Sequence, residues 1–314
     1  MIEVDSISKL KSAGFKSIAL ACGNFDGLHR GHQKIIDQLL KVSKQKKSSP
    51  VVLTFSPHPR EVLAGVEIPS LSANHTKKRL LAEMGIKALV SINFTLEFAG
   101  KTATEFIQDV LTCEGLEVTD ICIGSQWRFA KKREGDVQFL ENADSNFEVH
   151  PVEELKEDQQ VISSSRIREA LAKGDFMSAR QLLGREYSVC GPVISGRGIA
   201  TTELAFPTAN VNIDEQFLPL AGVFACWVNI EDSDKKFSAV CNIGFAPTFG
   251  GDKNRPARVE VHILDFEQDI YGKNIEIEFV LFIRNEKKFD NIELLKTQIA
   301  DDITKARQFF SSQG

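Results

Sequence analysis

Two histidines three residues apart, His29 and His32, stand in the run Cys22-Gly23-Asn24-Phe25-Asp26-Gly27-Leu28-His29-Arg30-Gly31-His32. At the start of a helix that spacing puts both imidazoles on one face, where they can meet the same bound phosphate. The glycines ahead of them let the backbone approach an anion, and a helix N-terminus adds unpaired N–H groups and partial positive charge. The segment therefore predicts a phosphate cradle in which Gly23, Asn24, Phe25 and Asp26 accompany the two histidines. The plainer alternative is a strand–helix connection with two surface histidines. The dense order Gly, Asp, Gly, His, Gly, His weighs against it.

Two further segments join this one. Thr54-Phe55-Ser56-Pro57-His58-Pro59 closes a second strand, so His58 emerges at the same sheet edge, although alone it reads more readily as a loop residue. In Ile162-Ser163-Ser164-Ser165-Arg166-Ile167-Arg168, Ser164 and Ser165 can cap a helix and donate to phosphate oxygens. Arg168 offers a forked donor matched to phosphate, and an ordinary serine cap with surface arginines is the competing reading. Together these parts suit adenylyl transfer, in which a nucleophilic phosphate attacks the α-phosphorus of ATP and pyrophosphate leaves. Positioning and charge neutralisation govern such a step. His29 and His32 would stabilise charge around the α-phosphate, while the glycine turn and Arg168 hold the polyphosphate.

The elements that must position these residues follow from periodicity. Short apolar runs at Ser17–Ala21, Val51–Phe55, Ala88–Ile92, Asp120–Ile123 and Phe147–Val152 read as strands. Helical patterns lie between them at Gln33–Val42, Thr76–Met84 and Thr104–Leu111, and two more follow at Ser165–Ala172 and Asp175–Leu183. This alternation predicts a Rossmann-like parallel sheet with helices on both faces, which binds ligands outside the carboxyl ends of its strands. After Gly184 the pattern changes to strands at Tyr187–Val193, Phe224–Ile230, Ser238–Ile243, Val259–Leu264 and Ile275–Ile283. Such a succession predicts an antiparallel barrel or sandwich, closed by an amphipathic helix from Ile292 to Phe310. The expected domains are residues 1–184 and 185–314.

Composition sets limits on partners. At 42% hydrophobic and 26% charged residues, the 314-residue chain is an ordinary globular one, long enough for two cores. Residues 1–184 carry 24 basic against 24 acidic side chains and residues 185–314 carry 14 against 19, so neither half is a nucleic-acid surface. No apolar run reaches membrane-spanning length and no signal-peptide pattern opens the chain. Six cysteines without a Cys-x-x-Cys pair read as reduced thiols of a cytoplasmic protein.

The Gly23–His32 run combined with Ile162–Arg168 resembles the bacterial bifunctional riboflavin kinase/FAD synthetases, within the wider nucleotidylyltransferase superfamily. The second half carries the rest of the resemblance. Phe206-Pro207-Thr208-Ala209-Asn210 is similar to the flavokinase signature, and Gly191-Pro192-Val193 with Gly196 to the glycine-rich loop before it. Asn242-Ile243-Gly244, Pro247-Thr248-Phe249, Val259–Phe266, Tyr271-Gly272-Lys273, Arg284 and Lys288-Phe289 also match in order. The resemblance implies phosphorylation of riboflavin to FMN by the second half, in an antiparallel flavokinase barrel, and adenylylation of FMN to FAD by the first.

It further implies that Glu260 is the general base, that Thr208 and Asn210 hold Mg²⁺ with ATP, and that Gly196 touches ATP. His58, Gln126 and Arg128 would contact the flavin of the adenylyl acceptor. The implied partners are small molecules, with the chain a monomer or weak homo-oligomer. Two departures stand out. Ala200, Thr201 and Ala205 replace a glycine, an arginine and a glycine in the kinase loop, which is one residue longer. Gly124-Ser125-Gln126-Trp127-Arg128-Phe129-Ala130 stands where the family commonly has Asp or Asn and then Phe-Arg-Phe-Gly. Three other readings stay open: a FAD synthetase with an impaired kinase half, an adenylyltransferase for another acceptor such as phosphopantetheine, and a non-catalytic flavin sensor.

Overall fold

The computed structural model describes residues 1–143, 146–195, 206–213, 215–244 and 258–313. The chain packs as two compact units, residues 1–70 with 74–164 and residues 71–73 with 165–314.

The first unit is built on six strands, β1 (Ile2–Val4), β2 (Ser17–Cys22), β3 (Ser49–Ser56), β4 (Ala88–Asn93), β5 (Glu117–Gly124) and β6 (Glu148–Val152). All pair in parallel, in the order β1-β4-β3-β2-β5-β6. Parallel strands buried on both faces read as continuous apolar runs, and β2 shows why. Ile18, Leu20 and Cys22 enter one core layer, while Ala19 and Ala21 enter the other. Around the sheet lie α1 (Ile7–Ser12), α2 (Arg30–Lys46), α3 (Pro59–Ala64), α4 (Asn74–Glu83), α5 (Leu96–Ala99), α6 (Ala103–Phe106) and α7 (Val137–Glu141). The small alanines of β2 leave room on their side for α2, which buries Ile36, Leu39 and Val42 there.

The helix expected at Thr104–Leu111 is α6 running into a single π turn over Ile107–Leu111, a change of pitch that apolar spacing does not reveal. From β2 the chain steps through β3 and β4 in one direction, then returns to place β5 and β6 on the other side. The carboxyl ends of β2 and β5 thus flank the reversal point, where a parallel sheet opens a crevice. A short hairpin, β7 (Lys156–Glu157) and β8 (Gln160–Val161), follows the sheet.

The second unit begins with α8 (Ser164–Ala172), whose first residue belongs to the first unit, and α9 (Phe176–Leu183). Its strands are β9 (Tyr187–Ile194), β10 (Ala209–Val211), β11 (Gly222–Ile230), β12 (Lys236–Gly244), β13 (Arg258–Ile263) and β14 (Asn274–Asn285). They close an antiparallel barrel in the order β10-β13-β12-β11-β14-β9, so no edge is left unpaired. Gly191 makes the β9–β10 seam feasible, because a Cβ there would lie 1.9 Å from the Asn212 carbonyl oxygen. On β11, Phe224, Cys226 and Val228 are fully buried on one side, and Val223 and Ala225 pack on the other beneath α10 (Ile292–Gln313). Arg284 fastens that helix, its Nε and Nη2 donating to the buried Asp302 carboxylate at 2.8–3.0 Å.

One buried carboxylate bears on the first unit's stability. Asp120 on β5 is fully buried, with Oδ1 2.8 Å from His150 Nε2 on β6 and Oδ2 without a hydrogen bond. Removing one partner of a buried pair strands the other charge. His150→Ala is expected to destabilise the first unit by about 3 kcal/mol in urea unfolding, whereas a change below about 0.5 kcal/mol, the size typical of surface substitutions, would show that Asp120 needs no partner.

Candidate active sites

β2 ends at Cys22, and the N–H of Gly23 extends its pairing by donating to Leu53 O at 3.1 Å. The chain then enters a tight turn. Phe25 and Leu28 hold positive φ, 49° and 43°, and both side chains are buried. Gly27, also at positive φ (76°), lies between them. Left-handed backbone at two bulky residues persists only where the surroundings fix it, and here two buried apolar anchors do so. The Ser164 hydroxyl donates to Asp26 O at 3.0 Å, so the serine segment pins this turn with the proton expected to serve a phosphate.

His29 sits at the N-cap of α2, one residue outside the helix, and His32 at its third position. The Nδ1 atom of His29 accepts the backbone N–H of His32 at 3.3 Å, which leaves the proton of a neutral His29 on Nε2 as a donor. The two rings stack, centroids 3.6 Å apart and planes 17° apart, and Phe25 meets His32 edge-on at 5.3 Å. Gly31 makes this stack possible, since a Cβ there would stand 3.2 Å from the His29 ring. Burial holds the His32 pKa well below the usual 6.5, and the neighbouring His29 and Lys77 push it the same way. His32 Nδ1 is buried without a hydrogen-bond partner.

The other predicted residues of this site fall as follows. Asn24 reaches His58, Nδ2 to Nε2 at 3.2 Å, so the motif and the end of β3 meet. His58 also caps α3, accepting the Arg60 N–H through Nδ1 at 3.1 Å. Gln126 is exposed in the loop after β5, and Arg128 is ion-paired with Asp136 at 2.6 Å. Among the described residues no hydrogen bond or ion pair joins either to the histidines. Ser165 and Arg168 lie on α8, within the second unit. Sequence reasoning missed Lys77 on α4, whose Nζ lies 3.5 Å from Asn24 O across 53 residues. Nothing in a local pattern marks a helical lysine as different from a solvated one.

In the second unit, Asn210 on β10 and Asn242 on β12 both pair in register with Glu260 on β13. Residues directly opposite in antiparallel strands share a face, so an amide flanks the carboxylate on each side. Thr208 lies just before β10, where His262 Nδ1 stands 2.8 Å from Pro207 O. Gly196, Ala200, Thr201, Ala205 and Pro247-Thr248-Phe249 lie outside the described residues.

Residues 12–166 match the FAD synthetase family model and residues 183–310 the riboflavin kinase family model. The chain is 35% identical over 310 residues to the bifunctional riboflavin kinase/FMN adenylyltransferase of Escherichia coli (strain K12), covering 98% of this chain and 97% of that one. It belongs to that bifunctional family. The Haemophilus influenzae member is 37% identical over 94% of each chain, and the Bacillus subtilis member 34% identical over 96% of this chain and 95% of its own. A crystal structure described as a macrolide-efflux protein from Streptococcus pneumoniae superposes with a TM-score of 0.84 at 30% identity, covering 98% of this chain and 99% of that one. Efflux is that protein's description. Among the described residues here no helix is long and apolar enough to cross a membrane.

Ala130 holds φ 64°, ψ −173°. That region is essentially reserved for glycine and costs a side chain about 1–3 kcal/mol. Ala130→Gly is therefore expected to raise stability by about 1 kcal/mol, read by chemical unfolding, and a loss of stability would contradict the strain. Gly31→Ala should displace the His29 ring and cut FAD formation about tenfold or more, leaving FMN formation intact. An imidazole proton titration should find His32 neutral at pH 6.5.

Proposed function

We propose that the first domain, residues 1–184, transfers the adenylyl group of ATP to FMN, and that the second, residues 185–314, makes that FMN from riboflavin. Full-length membership of the bifunctional family supports both halves. The observation that carries the first is the stacked His29–His32 pair at the N-terminus of α2. An FMN phosphate oxygen attacks the α-phosphorus, the bond to the bridging β-phosphate oxygen breaks, and pyrophosphate leaves. The Nε2–H of a neutral His29 and the positive end of the α2 dipole meet charge that shifts during this exchange. Gly23, Asn24, Phe25 and Asp26 shape the cradle, with Ser164, Ser165 and Arg168 assigned to ATP. His58, Gln126 and Arg128 are assigned to the flavin.

In the second domain Glu260 takes the proton from the ribityl 5′-hydroxyl, which attacks the γ-phosphorus of ATP and releases ADP. The Asn210 amide, opposite that carboxylate in the strand pairing, and the Thr208 hydroxyl two residues earlier are hard oxygen donors, a set that suits Mg²⁺ and its preference for oxygen. When bound, the ion would neutralise phosphate charge. The substrates are small and no basic surface calls for nucleic acid. We assign the chain to the cytoplasm as a monomer or weak homo-oligomer.

Glu260→Gln should lower FMN formation about 10²–10⁴-fold while leaving FMN-to-FAD conversion largely intact. His29→Ala should do the reverse. Joint loss of both activities in either variant would contradict two separate sites.

A further inference from the structure

Three consecutive cations, Lys77, Lys78 and Arg79, stand on α4, and they are not used alike. Lys78 pairs with Glu3 and Arg79 pairs with Glu83 at 3.0 Å, both at the surface. Lys77 turns inward, where α4 meets the turn after β2, and makes no ion pair among the described residues. Its one hydrogen bond, to Asn24 O, is long at 3.5 Å, and that oxygen already accepts the Thr54 hydroxyl at 3.1 Å. Two of its three N–H donors have no acceptor among the described residues. Half-buried, it faces the Asp26 carboxylate and the His32 imidazole, with His29 stacked behind. A desolvated ammonium without a paired carboxylate is costly unless an anion completes the site. The other cation at this helix start, Arg30, is tied to Glu157 at 2.8 Å.

We propose that Lys77 is a phosphate-binding residue of the adenylyl-transfer site, its ammonium held over the Gly23–Leu28 turn to meet the polyphosphate oxygens of ATP. This rests on the adenylyl-transfer reading of the first domain. His32, stacked on His29 and neutral, brings no charge of its own. Lys77 supplies the positive charge that the departing pyrophosphate needs.

The test uses the full chain with Lys77→Met and Lys77→Arg. FAD formation from FMN is followed at varied ATP and pH, with FMN formation from riboflavin as the internal control. Lys77→Met should lower kcat/KM for ATP in adenylyl transfer by about 100-fold, with FMN formation and the first domain's unfolding midpoint unchanged. Lys77→Arg should stay within about fivefold of the parent, because it keeps the charge. The acid limb of the Lys77→Met profile should move to higher pH, since His32 loses a cationic neighbour. A Met variant within about twofold of the parent, well short of a tenfold step in binding energy, overturns the proposal. So does equal loss in the Met and Arg variants, or a loss that tracks reduced stability. His29→Ala is assayed in parallel: undiminished FAD formation there overturns the adenylyl-transfer reading itself, a separate failure.

Discussion

Two imidazoles stacked 3.6 Å apart at a helix N-terminus cannot both be charged, and the first domain is arranged around that constraint. Burial, then the neighbouring His29 and the Lys77 charge, hold the His32 pKa well below its usual value, so His32 stays neutral. Keeping the rings together requires Gly31 beneath them, the His32 N–H bonded to His29, and a turn that delivers His29 to the cap. That turn in turn depends on buried Phe25 and Leu28 and on the Ser164 hydroxyl. The result is a set of donors aimed at one place with the net charge supplied from the side. This is what a transfer without a covalent enzyme intermediate requires of its protein.

The second domain meets a different demand with a different device. The Glu260 carboxylate proposed as general base lies beside amide oxygens through strand register, which sets Asn210 and Asn242 opposite it. Barrel closure through the β9–β10 seam keeps that register from slipping, because a one-residue shift would turn Glu260 to the opposite face. Rigid elements thus carry one chemistry and a pinned turn carries the other.

Much of this was legible in the sequence. Strands β2 to β5 announce themselves as apolar runs bounded by turn residues, and the glycine–histidine run marks the tight turn that leads into α2. The His29–His32 spacing indicated one shared face, but the stack arises because a cap residue folds its ring over the third helical position. Three-residue β10 escaped notice because it is too short for periodicity and follows a proline. Edge strand β1 is equally short and exposed. Lys77 was invisible because its partner, the Asn24 carbonyl, is backbone and 53 residues away. The strain at Ala130 is likewise a backbone property that residue type alone does not report.

The most direct measurement follows the phosphorus atoms. The protein is given riboflavin with ATP labelled at either the α- or the γ-phosphate, and purified FAD is cleaved into its FMN and AMP halves. The account predicts γ-label only in the FMN half, α-label only in the AMP half, and one pyrophosphate released per FAD. FAD lacking γ-label in its FMN half, or α-label appearing there, would contradict a kinase and an adenylyltransferase acting in sequence within this chain.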